Sequence, residues 1–152
     1  MLTTTEIKKT YGEPGESGLM LITLPYPMRL AWDKKTTVTR IQCHRLVADN
    51  FLRVFSEILK EYGLEKIKEL EIDIYGGCYN LRKMRGGSEL SRHSWGIAID
   101  LNPEKNTLKE TKKTAQFAKP EYKKMIDIFY KHGFLSLGRE KNYDWMHFEI
   151  KE

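Results

Sequence analysis

Between Ile41 and Gly63 the chain places Val47, Phe51, Val54, Phe55, Ile58 and Tyr62 at spacings of three and four. That period makes one side of an α-helix continuously apolar, and Gly63 supplies the stop. A helix over Ile41–Tyr62 must therefore bury its stripe against another apolar surface. One candidate surface follows: Trp95, Ile97, Ile99 and Leu101 alternate with Gly96, Ala98 and Asp100, the pattern of a strand whose bulky side faces a core and whose small side carries one carboxylate. A second amphipathic helix is expected from Pro120 through Tyr122, Met125, Ile126, Phe129 and Tyr130 to a stop at Gly133, and His147-Phe148-Glu149-Ile150 reads as a closing strand.

The rest is less periodic. A short helix is expected from Thr4/Thr5 to Tyr11, then a turn-rich loop over Glu13–Gly18, and a strand over Leu19–Leu24 that Pro25 and Pro27 interrupt. Met28–Trp32 reads as a second extended piece before a turn at Asp33-Lys34-Lys35. Ile67, Leu70, Ile72 and Ile74 suggest a strand ended by Gly76-Gly77, residues 78–94 an extended loop, and Lys105–Phe117 a solvated excursion. Two main helices with several short strands, not in regular alternation, point to an α+β class. A chain of 152 residues with 40% hydrophobic content fills one core and not two, so a single domain over 1–152 is expected.

Charge adds a weak constraint. Residues 1–76 carry eleven basic and eleven acidic groups and residues 77–152 fifteen and ten, so the whole net charge of +5 lies in the second half. An anionic partner should meet that half; nucleic acid and anionic wall polymer both qualify on charge alone. No zinc finger, stacking motif or phosphate-binding glycine loop supports specific nucleic-acid binding. The longest apolar run, around Leu19–Leu24, is far too short to span a bilayer, and Met1-Leu2-Thr3-Thr4-Thr5 lacks a secretory pattern, so a soluble protein without a Sec signal is expected. Cys43 and Cys78 form no framework or CxxC motif and read as free thiols, with a single bridge as the alternative.

Of the four histidines, His93 lies in a loop seven residues before Asp100, and His147 stands on the final strand three residues after Asp144. A catalytic zinc takes three ligands from His, Asp, Glu or Cys and leaves one position open. His93, Asp100 and His147 could supply such a set, with Asp144 as a nearby base. Each residue also has a plain structural reading: His93 as a packed histidine beside Trp95, Asp100 as a turn cap, His147 as an ordinary strand residue. No His-Glu-x-x-His helix is present.

The stretches Gly76-Gly77-Cys78-Tyr79-Asn80-Leu81-Arg82 to Gly87, Leu90-Ser91-Arg92-His93-Ser94-Trp95-Gly96-Ile97-Ala98-Ile99-Asp100-Leu101-Asn102, and Asp144-Trp145-Met146-His147-Phe148-Glu149 together resemble the zinc D-alanyl-D-alanine carboxypeptidase and dipeptidase family. That family includes the L-alanyl-D-glutamate endopeptidases of phage lysins, and the resemblance covers about residues 41–150. It implies a small, mainly antiparallel sheet packed by helices, with His93, Asp100 and His147 as Zn2+ ligands and Asp144 as catalytic base. By the same resemblance Arg82 holds the substrate carbonyl or carboxylate and stabilises an oxyanion, a role that suits a permanent, fork-shaped cation. Ser91 is expected to orient the loop or touch substrate, Trp95 to pack beside the metal, Arg85 to be a second cation of the loop, and Glu149 to support Arg82 or a ligand. Leu135-Ser136-Leu137-Gly138 departs from the aromatic and paired glycines of many relatives.

The resemblance implies a zinc peptidase of peptidoglycan stem peptides, with L-alanyl-D-glutamate favoured over D-alanyl-D-alanine as the bond cut; a monomer is expected. A non-catalytic, zinc-containing wall-binding module is the rival. Cytoplasmic synthesis with action at the cell wall or periplasm is expected if the chain is a lysin.

Overall fold

The computed structural model describes residues 1–151. Helix α1 (Thr4–Tyr11) opens with a capping box: the Thr3 hydroxyl accepts from the Glu6 N–H while the Glu6 carboxylate accepts from the Thr3 N–H. Strands β1 (Leu19–Leu30) and β2 (Asp33–His44) then form a long antiparallel hairpin. Helices α2 (Ala48–Tyr62) and α3 (Leu64–Glu69) lead to β3 (Ile74–Gly77). After a long loop come β4 (Ala98–Leu101), α4 (Lys123–Lys131), β5 (Phe134–Ser136), α5 (Leu137–Lys141) and β6 (His147–Ile150). The six strands make one sheet in the order β2-β1-β3-β4-β6-β5, antiparallel throughout except between β1 and β3. The α+β class and the mainly antiparallel sheet are as expected.

One face of the sheet carries the core. Phe55 of α2 meets Tyr26 of β1 and Phe129 of α4 edge-on at 6.0 Å, and Phe129 stacks on Phe148 of β6 at 3.9 Å. Ile99 and Leu101 of β4 are fully buried in the same cluster. Because side chains alternate along a strand, fixing Ile99 and Phe148 inward turns Asp100, His147 and Glu149 to the opposite face. The aromatic stack thus sets the orientation of the polar face as well as stabilising the fold; removal of one such buried ring costs about 3–5 kcal/mol. Cys43 and Cys78 are both buried free thiols.

Several local expectations are corrected. Pro25 and Pro27 do not interrupt β1: between the pairs Thr23↔Arg40 and Met28↔Val38 the strand advances five positions while β2 advances two. The prolines sit in this bulged stretch, where their missing N–H groups cost no ladder bond. Residues 41–44 belong to β2, followed by a 3₁₀ turn at Arg45–Val47, so the helix starts at Ala48 rather than Ile41. Ile67 lies in α3, and the strand of this stretch is confined to Ile74–Gly77; the mixed spacing of three and two among Ile67, Leu70, Ile72 and Ile74 marks a helix, a turn and a strand in succession.

Trp95 ends a 3₁₀ turn (Arg92–Trp95) instead of beginning a strand. The solvated excursion is anchored: Asn106, Ala115 and Phe117 are buried, and Asn106 Oδ1 accepts from the Phe117 N–H at 2.8 Å.

Candidate active site

Gly96 controls the entry to β4. It adopts a left-handed φ of 71° at the end of the Arg92–Trp95 turn, and its carbonyl accepts the His44 N–H at 2.9 Å. A Cβ there would lie 2.8 Å from that His44 nitrogen, so only glycine permits both the turn and the close approach. This bend carries His93 from the loop to the polar face of the sheet. The Ser91 hydroxyl accepts from the His93 N–H at 3.2 Å, while the Ser91 N–H donates to the Arg82 carbonyl at 2.8 Å. Asp100 and His147 meet more directly, being partners across the β4–β6 pair.

His93, Asp100 and His147 each turn a ligand atom to a common point, all within 4.8 Å of one another. His93 Nε2 is 3.2 Å from Asp100 Oδ2, and His147 Nδ1 is 3.2 Å from Asp100 Oδ1. The far nitrogens are fixed by acceptors. His93 Nδ1 donates to the Cys78 carbonyl at 2.7 Å, and His147 Nε2 donates to Glu149 Oε1 at 2.9 Å. A carbonyl or carboxylate can only accept, so each neutral ring presents its lone pair to the common point.

His93 Nε2 is buried and makes no hydrogen bond; its contact with Asp100 is close without the alignment of one. An orphaned imidazole lone pair, a second lone pair and a carboxylate facing one position suit a divalent cation, zinc in particular, with each histidine held from behind as metal-binding histidines are. The cluster is therefore able to coordinate a metal.

The electrostatics agree. Burial opposes charge on His147, but its bonds to Asp100 and Glu149 and their negative charges outweigh it and push the imidazole up to about 10. Burial likewise opposes ionisation of Asp100, yet the charge of His93 and the His147 hydrogen bond hold it well below the usual carboxylate range. Glu149 is lowered in the same way, burial being outweighed by His147 and Arg92.

Asp144 differs: burial raises it, and the neighbouring Asp100 charge adds to the rise against the opposing effects of His147, His93 and Arg85. It sits at a left-handed φ of 51°, with its N–H donating to the Leu108 carbonyl at 2.9 Å and its own carbonyl accepting from His147 N–H at 3.0 Å. This turn is braced by Trp145, whose ring covers Gly138. A Cβ on Gly138 would fall 2.1 Å from the indole, so the Leu137-Gly138 departure noted in the sequence supports the turn carrying Asp144.

These residues line a cleft of about 380 Å³. Asp100, His147 and Glu149 line it from the sheet, the 82–93 segment contributes Arg82, Arg85, Ser91 and His93, and Asp144 lines it from the turn before β6. Arg82 is half-buried and Arg85 exposed. Trp95 is elsewhere: it is fully buried, donates from Nε1 to the Gly12 carbonyl at 2.9 Å, and is not among the cleft's lining residues.

Glu149 contacts His147, not Arg82, and its charged neighbour is the buried Arg92, with Nε 3.8 Å from Oε2. Sequence reasoning missed Arg92 and the Cys78 carbonyl. Arg92 stands beside His93 in the chain, but its partner is 57 positions away, and a carbonyl acceptor leaves no trace in residue type.

Residues 85–150 match a family model described as D-alanyl-D-alanine carboxypeptidase. Searches of curated proteins and of solved structures each returned no match. The matched segment contains His93, Asp100, Asp144 and His147 but begins after Arg82. Together, the segment and the cluster support a metallopeptidase-like active site.

Proposed function

We propose that the protein is a zinc-dependent peptidase that hydrolyses a bond in peptidoglycan stem peptides. The observation carrying this reading is the His93–Asp100–His147 cluster, whose orphaned His93 Nε2 belongs to a residue lining the same cleft as the half-buried Asp144. His93 and His147 would hold zinc through their free lone pairs and Asp100 through its carboxylate. When bound, zinc supplies polarisation of the scissile carbonyl and lowers the pKa of an attacking water.

The chain's own groups do the rest. Asp144 accepts the proton of the attacking water as the carbon–oxygen bond forms. As the carbon–nitrogen bond breaks, it delivers that proton to the leaving nitrogen. Burial raises its pKa above that of an ordinary aspartate, which favours acceptance of the proton. Arg82 donates hydrogen bonds to the carbonyl oxygen as negative charge develops there.

The favoured bond is L-alanyl-D-glutamate, from the resemblance to compact lysins and the basic second half; action at the cell wall or periplasm belongs to the same reading. D-alanyl-D-alanine is the second reading, favoured by the description of the matched family model. Mass spectrometry of purified peptidoglycan after digestion tests the proposal. New stem fragments that vanish on chelation and return with zinc are expected, and their masses identify the bond. Wall binding by zinc-loaded protein without new amine termini would instead establish a non-catalytic module.

A further inference from the structure

The turn that carries His93 is held from two sides. A 3₁₀ turn of four residues has poorer hydrogen-bond geometry than an α-helix and is fixed in place by contacts outside itself. On one side, residues 78–82 hold His93 directly: the Cys78 carbonyl accepts from its ring, and the Asn80 N–H donates to its carbonyl at 3.0 Å. On the other side, the first fifteen residues hold its neighbours. Arg92 Nη2 donates to the Leu2 carbonyl, the Gly15 N–H donates to the Ser94 carbonyl at 3.0 Å, and Trp95 Nε1 donates to the Gly12 carbonyl at 2.9 Å. Three of the four residues of the turn are thereby tied to that segment. His44 adds an indirect tie, since its ring donates to the Tyr11 carbonyl at 3.0 Å while its N–H donates to the Gly96 carbonyl at 2.9 Å.

The segment is itself anchored. Ile7 and Tyr11 of α1 are buried in the main core cluster, the capping box closes the start of the helix, and Met1 lines the same cleft as His93. Gly15 takes a φ of 117° and a ψ of −166°, a region open essentially to glycine alone. A Cβ there would meet no atom within 4 Å, so space does not call for glycine at this position. The backbone conformation that directs its N–H to Ser94 does.

We infer that residues 1–15 form a strap that positions the metal ligand His93, with Trp95 and Gly15 as positioning residues that act through the Arg92–Trp95 turn. The inference rests on the metal-site reading of the cluster and not on which bond is cut. A ligand set holds a cation tightly only where the supporting contacts keep each donor atom within about 0.5 Å of its place. Asp100 and His147 face each other across paired strands, whereas His93 comes from a short turn, so its place depends most on such ties. Loosening the strap should weaken zinc binding without altering any ligand.

Two variants test this from opposite sides of the contact. Trp95→Phe keeps an aromatic ring and removes the donor to Gly12; Gly15→Ala adds a methyl group in open space and disfavours the backbone conformation that serves Ser94. Ile58→Val, at a fully buried position on α2, controls for loss of stability away from the strap. Zinc affinity is read on folded, metal-free protein by competition with a chromophoric chelator, with urea midpoints on the same samples. The expected result is a fall of about three- to tenfold in each strap variant, the equivalent of one hydrogen bond, and no change in Ile58→Val whatever its urea midpoint. A folded strap variant that holds zinc as tightly as the wild type overturns the inference, as does an equal loss in Ile58→Val. Where one strap variant does not fold, the other decides. Wild-type protein that takes up no zinc removes the metal-site reading and this inference with it, whereas zinc uptake without peptide cleavage removes the peptidase reading alone.

Discussion

His147 and Glu149, two positions apart on β6, share a hydrogen bond of 2.9 Å from Nε2 to Oε1, and this leaves His147 Nδ1 facing Asp100. Carboxylate support behind a ligand histidine typically strengthens metal binding by 10- to 100-fold. Glu149→Gln keeps an acceptor but loses the charge. A fall in zinc affinity of about tenfold is expected, read by competition with a chromophoric chelator. Unchanged affinity would mean that Glu149 supports only the fold.

Asp144→Asn preserves shape and tolerates the left-handed backbone, a conformation that asparagine adopts readily. It should fold and bind zinc as the wild type does, yet lose about 10²- to 10⁴-fold in kcat, the usual contribution of a proton-transfer group. Steady-state kinetics on a stem peptide, with metal content measured on the same sample, separates this from loss of zinc.

Gly138→Ala places a methyl group 2.1 Å from the Trp145 ring. Relief requires the indole to move, and the indole braces the Asp144 turn. We expect destabilisation of about 1–3 kcal/mol in urea unfolding, together with reduced kcat. Full stability would show that Trp145 repacks freely.

His44 gives the pH dependence a separate origin. Its Nε2 donates to the Tyr11 carbonyl at 3.0 Å and its Nδ1 accepts from the Leu46 N–H at 3.1 Å, so protonating Nδ1 breaks a bond. Burial lowers its pKa below the ordinary 6.5, with Arg45 adding to the fall and the Tyr11 carbonyl opposing it. The unfolded chain thus binds a proton first as pH drops. Stability contributed by neutral His44 is present above about 6.5 and is lost progressively from there towards the lowered folded value. In zinc-free protein the stability of the wild type relative to His44→Gln, read from urea midpoints, should fall between pH 7 and 5.

The α2 stripe, the inward Ile99, Leu101 and Phe148, and the outward Asp100, His147 and Glu149 were legible in the sequence because each follows from the period of its element. The β1–β2 hairpin was not, since Pro25 and Pro27 read as breaks and only the paired strand reveals a bulge that accommodates them. Trp95 fitted a strand alternation by type, but the left-handed Gly96 ends a 3₁₀ turn there and sends its ring to Gly12. At the site, the residue types were readable from spacing and resemblance. The tautomer-fixing carbonyl of Cys78 and the Arg92–Glu149 contact depend on segments that meet only after folding.

Zinc titration of metal-free protein, with wild type compared against Asp100→Ala and His147→Ala, tests the central claim most directly. The account expects one tightly held zinc per chain, bound through two imidazoles and a carboxylate by X-ray absorption, and a loss of more than about 100-fold in affinity for either variant. Wild-type protein that takes up no zinc, or variants that hold it as tightly as the wild type, would contradict it.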